Sequence, residues 1–309
     1  MNAHLIDLRK IWDQAPHNAL TDLIRFRDLW YCVFREGTGH ISPDGKIRIL
    51  VSRDGLNWNP RTLLSLPGAD LRDPKITITP DGRLMLNAAA AYDLRAPKRH
   101  QSLAWFSPDG TQWDAPVEIG DPNYWLWRVT WHECVAYGIG YSTVDQAGVR
   151  LYSSRDGTSF ERLADKLFKE GLPNEATIIF QEDHTALCLL RREEGDATAM
   201  LGSARPPYRV WDWKDLGVRI GGPHLLFLPD GRLVAAVRRY GKKPWTSLNW
   251  LDPVAGELEE FQALPSGGDT SYAGLYWHEE VLWVSYYSSH EHRTSIYLAR
   301  VRLRPRFHT

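Results

Sequence analysis

The chain has 309 residues, 43% hydrophobic and 24% charged, so it carries enough apolar material for a large core beneath an ordinary globular surface. Its 37 basic and 38 acidic residues leave a net charge of -1, which excludes a general field for nucleic acid or an anionic membrane. Three scattered cysteines, Cys32, Cys134 and Cys188, exclude a zinc spacing and a disulfide framework, and no apolar run is long enough for a membrane span or a signal core. The expectation is a cytoplasmic protein with no nucleic-acid or membrane partner, no cofactor and no metal, its 11 histidines being scattered along the chain.

Residues 4–12 read as a first strand. Each later unit begins with a hairpin whose turn lies near Asp28, Asp81, Glu133, Asp183, Asp230 or Glu279. Two of these turns read Pro80-Asp-Gly-Arg83 and Pro229-Asp-Gly-Arg232, flanked by strand-like runs at 75–78 and 84–88 and at 225–228 and 233–237. A third strand follows in each unit and ends on a second turn signal. Three such signals are alike: Ser52-Arg-Asp-Gly-Leu-Asn-Trp58 after 47–51, Ser107-Pro-Asp-Gly-Thr-Gln-Trp113 after 102–106, and Ser154-Arg-Asp-Gly-Thr-Ser-Phe160 after 149–153. Degenerate counterparts stand at Ser203, Ser247 and Ser295. Six units of about 50 residues suit four strands each. The predicted fold is all-β: a six-bladed β-propeller forming one domain over 1–309, with the N-terminal strand closing the last blade.

In that arrangement the starts of first strands and the ends of second strands surround one pocket. Eight positions before the hairpin turns lie Leu20, Asp73, Trp125, Glu175, Gly222 and Ser271; eight after them lie Glu36, Ala89, Tyr141, Arg191, Arg238 and Tyr287. Their neighbours include Asp22, Arg35, Arg72, Arg128, His224, Tyr272 and Tyr286. Charges at strand ends also serve as solvated rims or ion pairs between blades. Their convergence from different blades is what points to a binding site.

The three Ser-x-Asp-Gly-x-x-aromatic motifs resemble the Asp boxes of the sialidase superfamily, shortened by one residue. Pro173-Asn-Glu-Ala-Thr177, a strand, a turn and Leu189-Leu-Arg-Arg192 resemble that family's Glu-strand-turn-strand-Arg module, and Ser266-Gly-Gly-Asp-Thr-Ser-Tyr-Ala-Gly274 its Ser-Tyr segment. The resemblance implies a glycoside hydrolase cleaving an acidic glycan or small glycoside. It makes Tyr272 the nucleophile, Glu175 the base beside it, and Arg191 and Arg238 the grip on the substrate carboxylate. A phenol with an ordinary pKa near 10 needs such a base, and an anomeric carbon bearing a carboxylate would repel a carboxylate nucleophile. The stretch 17–22 lacks the family's first arginine, leaving Arg35 or Arg72 to replace it, with Asp73 and Arg128 as further substrate contacts. The family's proton donor falls in the loop 36–45, where Asp44 and His40 are the candidates.

Two other readings stay open. Leu71-Arg-Asp-Pro-Lys75 resembles the Arg-Asp-Pro motif of invertase-like and arabinanase-like hydrolases, which would assign the chemistry to Asp22, Asp73 and Glu175. A non-catalytic glycan-binding module would use Trp125, Trp127, Tyr240 and Tyr286 as stacking platforms, and would have no need of a Glu175–Tyr272 pair.

Overall fold

The computed structural model describes residues 3–93, 95–145 and 147–304, and every regular element among them is a β-strand. After β1 (Ala3–Trp12), the chain forms antiparallel groups in sequence order. The first is β2 (His17–Phe26), β3 (Leu29–Gly37), β4 (Lys46–Ser52) and β5 (Asn59–Leu64). The second is β6 (Asp70–Ile78), β7 (Leu84–Ala91), β8 (His100–Ser107) and β9 (Val117–Ile119), and the third is β10 (Tyr124–His132), β11 (Val135–Ser142), β12 (Val149–Ser154) and β13 (Glu161–Phe168). β14 (Pro173–Phe180), β15 (Ala186–Arg192) and β16 (Thr198–Ala204) lead into β17 (Asp212–Phe227), a strand of 16 residues. The first half of β17 pairs with β16 and the second half with β18 (Leu233–Arg239). This long strand fuses two expected groups into one seven-stranded sheet ending in β19 (Trp245–Asp252) and β20 (Glu257–Leu264).

The last sheet is β21 (Thr270–His278), β22 (Val281–Ser288), β23 (Ser295–Leu303) and β1. β1 lies antiparallel to β23, with His4 opposite Arg302 and Lys10 opposite Tyr297. The N-terminal segment therefore completes the C-terminal sheet and covers the edge that β23 would otherwise expose. Neighbouring groups meet through their first strands: β2 packs on β6, β6 on β10, β10 on β14, β14 on the second half of β17, β17 on β21, and β21 back on β2. No helix among the described residues is long and apolar enough to cross a membrane.

Burial explains the strand sequences. Second strands are enclosed on both faces, so they read as apolar runs: Leu84-Met-Leu-Asn-Ala-Ala-Ala90 is buried throughout. Fourth strands have an outer face in water, and β5, β13 and β20 are largely exposed and polar. The Ser-x-Asp-Gly turns lock adjacent sheets. In the first, the Gly55 N–H donates to Ser52 Oγ at 2.9 Å, and the Leu56 and Asn57 N–H groups donate to Asp54 Oδ1 at 2.8 Å each. Gly55 has φ +69°, and any side chain there would run into Trp283 of the last sheet.

All six first strands share one irregularity. Each carries one extra residue relative to its partner strand, between Ala19 and Asp22, Arg72 and Lys75, Leu126 and Val129, Pro173 and Ala176, Gly221 and His224, and Ser271 and Gly274. Left-handed backbone accompanies it at Leu20, Asp73, Gly222, Ser271 and Tyr272. A bulge bends a strand and re-aims its side chains. Here it recurs at the equivalent point of every first strand, so the six kinks form one layer of the molecule. Below them a cavity of about 340 Å³ is lined by residues of all six first strands, among them Asp22, Thr77, Arg128, Thr177, His224 and Leu275.

Candidate active site

The ring of bulges brings Glu175 from β14 and Tyr272 from β21 into contact across 97 positions of sequence. The Tyr272 hydroxyl donates to Glu175 Oε1 at 2.5 Å. The other carboxylate oxygen receives the Gly222 N–H and Arg191 Nη1, each at 2.7 Å. Arg191 Nη1 also donates to the Tyr272 hydroxyl at 3.0 Å, while its second terminal nitrogen pairs with Glu193. Arg238 lies over the Tyr272 ring, 4.9 Å from guanidinium carbon to centroid, and donates to the Thr270 carbonyl, the Asp269 carboxylate and the Tyr287 hydroxyl. The two arginines thus flank one phenol.

The electrostatics separate the pair into an acid and a base. Burial pushes the Glu175 carboxyl up, but Arg191, the Tyr272 hydroxyl and the Gly222 N–H outweigh it and hold the group below the usual carboxylate range. Burial, and then the Glu175 charge, raise the Tyr272 phenol well above its ordinary value against the pull of Arg191 and Arg238. The resting state is a neutral phenol bonded to an ionised carboxylate.

Gly222 fixes this geometry. Its φ is +55°, and a Cβ at that position would sit 2.8 Å from the Tyr272 ring. Gly222→Ala is expected to lose about 1–2 kcal/mol from backbone strain. It should also displace the phenol from Glu175, and a misplacement of that kind costs a catalytic pair about tenfold or more in turnover. Steady-state kinetics with a thermal melt check both, and wild-type turnover would show that the ring has room to move.

The remaining sequence-predicted residues divide by location. Asp73, on the β6 bulge, is 5% exposed, and its Oδ1 has no hydrogen-bond partner among the described residues. Burial raises its carboxyl to about 6, with Glu175 adding to the shift and Lys75 and Arg72 opposing it. Arg72 lies 3.6 Å from Asp70 and 3.4 Å from His40 Nε2. Arg35 does not face the site. It is fully buried, bonded to Asp70 at 2.7 Å, to the Gly39 carbonyl and to Ser42, and the 36–45 loop folds over it. Arg128 is held bidentately by Asp22 at 2.8 and 3.2 Å and lines the cavity below the bulges with His224. Asp22 lines that cavity, whereas Asp73 and Glu175 do not, and Lys75 feels the charge of all three. Asp44 accepts from the Thr38 N–H and hydroxyl within its own loop; the Ser42 and Thr38 groups hold its carboxyl below the usual range.

The sequence reading missed Asp269, His17 and Lys75. Asp269 is a hub: one oxygen takes Arg238 and Tyr287, the other takes His17 Nε2 at 3.0 Å and His40 Nδ1 at 2.7 Å. Histidines that are scattered in sequence therefore do gather, here and at His132, Glu133 and His184. A metal fits the first group poorly, because ligation would put the remaining ring protons on His17 Nδ1, buried and without a partner among the described residues, and on His40 Nε2 facing Arg72. Lys75 was legible as a cation inside the apolar run after Pro74. It lies over Trp127, and burial, then Arg128, lower it to about 8.

No protein-family model matches the chain, and no curated protein matches it. Solved structures do. A protein of unknown function from Dyadobacter fermentans superposes with a TM-score of 0.87 at 18% identity, covering 98% of this chain and 100% of that one. Trypanosoma rangeli sialidase, solved with 2,3-difluorosialic acid as a covalent intermediate, gives 0.71 at 10% identity, covering 97% of this chain and 58% of that one. An α-L-arabinofuranosidase from Fusarium graminearum, solved with an iminosugar inhibitor, gives 0.72 at 12% identity and covers 98% of both chains. The chain has the fold of propeller glycoside hydrolases. At these identities the likeness concerns the fold alone.

Proposed function

We propose that this chain is a six-bladed β-propeller glycoside hydrolase that cleaves an acidic sugar from a glycan or small glycoside. The observation that carries the reading is the buried Tyr272–Glu175 hydrogen bond with Arg191 on the same two groups. A binding module gains nothing from burying an ionised glutamate against a phenol. In a displacement at an anomeric carbon the pair has a direct use: Tyr272 attacks, and Glu175 takes its proton. Arg191 and Arg238 supply the positive field for a substrate carboxylate, in competition with the groups they hold now. The sialidase fold neighbour and its covalent intermediate are consistent with this chemistry.

A second reading is favoured by the arabinofuranosidase neighbour, which this chain matches over 98% of both chains. It assigns the chemistry to carboxylates, of which Asp73 and Glu175 share the upper site while Asp22 is bound to Arg128. A panel of methylumbelliferyl glycosides separates the readings. Cleavage of the α-sialoside or a uronide supports the acidic-sugar hydrolase. Cleavage confined to the arabinofuranoside supports the carboxylate reading, and silence on every member with retained glycan binding supports a module.

A further inference from the structure

We propose that Asp73 is the proton donor to the leaving group, a role that rests on the glycoside-hydrolase reading above. Asp73, Glu175 and Tyr272 stand on β6, β14 and β21, first strands of alternate groups: β10 lies between the first two, β17 between the next, and β2 closes the interval back to β6. A substrate seated at the centre of the ring therefore meets the Tyr272–Glu175 pair on one side and Asp73 on another. That separation is what a displacement requires, since the nucleophile and the donor act on opposite ends of the breaking bond.

The local structure suits a carboxylic acid held in reserve. Asp73 has φ +51°, a left-handed backbone that a non-glycine residue adopts at a cost, and the bulge turns it out of the strand ladder. Pro74 follows it and offers no N–H to the carboxylate. The side chain is nine-tenths buried, yet one carboxylate oxygen bonds to nothing among the described residues. The other buried carboxylates of this region among the described residues are tied down: Asp22 by Arg128, Asp70 by Arg35 and Glu175 by Arg191; the part-exposed Asp269 is held by Arg238. The charged groups around Asp73 are Lys75 and Arg72 on its own strand, Glu175 across the ring and His40 from the loop 36–45. Burial with the Glu175 charge prevails over the cations, so the proton is held into the mildly acidic range. Asp44 lacks this character, because its loop bonds stabilise the ionised form.

The steps balance as follows. Tyr272 Oη bonds to the anomeric carbon and its proton passes to Glu175. The bond to the leaving oxygen breaks with its electron pair on that oxygen, which takes the Asp73 proton. A water then gives a proton back to the Asp73 carboxylate as its oxygen attacks the anomeric carbon. The Tyr272–carbon bond breaks with its pair on the phenol oxygen, which recovers the proton from Glu175.

The test compares leaving groups on the sugar that the glycoside panel identifies. For Asp73→Asn, turnover of a methyl glycoside should fall on the order of 10³-fold, while the 2,4-dinitrophenyl glycoside, whose leaving group needs no proton, loses less than about tenfold in its first step. The alkaline limb of the wild-type pH–rate profile should vanish with it. Asp73→Ala in sodium azide should form a glycosyl azide, which keeps the test valid if the Asn side chain misfolds the site. An Asp73→Asn enzyme slowed equally on both substrates overturns the assignment, as does an Asp44→Asn enzyme that shows the leaving-group dependence instead. A wild-type protein silent on every glycoside overturns the hydrolase reading itself. Stability gives an independent readout. A carboxyl raised in the folded state contributes stability that is complete below about pH 4, its unfolded value, and is lost as pH rises through about 6. Asp73→Asn should remove that slope, and an unchanged slope would show that Asp73 does not hold its proton.

Discussion

Tyr272→Phe is expected to lower turnover by about 10³-fold or more while the protein stays folded. The substitution deletes the one atom that would bond to the sugar, and removal of a nucleophile costs catalysis on this scale because its partners act only through it. The ring is retained, so its edge contact with Trp127 and the Arg238 guanidinium over its face persist. Glu175 keeps Arg191 and the Gly222 N–H as partners, so the structural loss is that of one hydrogen bond to a charged group, about 1.5–3 kcal/mol. Kinetics and urea unfolding on the same preparation separate the two effects. If Tyr272 only packs between sheets, the Phe enzyme will turn over normally, and the carboxylate reading will lead.

Arg35→Ala carries the largest expected loss of stability. The side chain is fully buried, and its guanidinium holds Asp70, the Gly39 carbonyl and Ser42. Gly37 and Gly45 are glycines because a Cβ at either would collide with it. Truncation leaves Asp70 nearly buried with Arg72 at 3.6 Å as its remaining cation. Breaking such a pair costs about 3–5 kcal/mol, because the surviving charge is left uncompensated. The urea midpoint should fall accordingly. The double variant Arg35→Met, Asp70→Ala should recover much of the loss, since it removes both charges. A single-variant loss under about 1 kcal/mol would mean that water replaces the guanidinium.

That arginine also shows where sequence reading stops. Position along a strand placed Arg191 and Arg238 at equivalent second-strand ends, with Arg35 one residue short of that position on its own strand, and the first two flank Tyr272. Spacing cannot say what else a side chain meets, and Asp70 with two loop carbonyls turned Arg35 into a structural post. The repeat was legible because turn chemistry is local: Asp-Gly after an apolar run bends the chain wherever it stands. The pairing of β1 with β23 followed from counting strands in the last unit. The bulges were not legible, since one extra residue per first strand leaves no mark in an apolar pattern. They account for the shift of Arg128 onto Asp22 below the ring and for the exposure of Tyr272, rather than Ser271, to Glu175. Asp269 was hidden in a Gly-rich loop that reads as a plain turn, and its four partners come from β2, the 36–45 loop, β18 and β22.

The central claim is that a sugar becomes bonded to Tyr272. Incubation with 2,3-difluorosialic acid, or the 2-fluoro analogue of whichever sugar the panel identifies, followed by peptic digestion and mass spectrometry, tests it directly. The account predicts one added glycosyl mass on the peptide containing Tyr272, absent from Tyr272→Phe and slowed in Glu175→Gln. An adduct on Glu175 or Asp73, or rapid cleavage of the parent glycoside by an enzyme whose Tyr272 is never labelled, would contradict it.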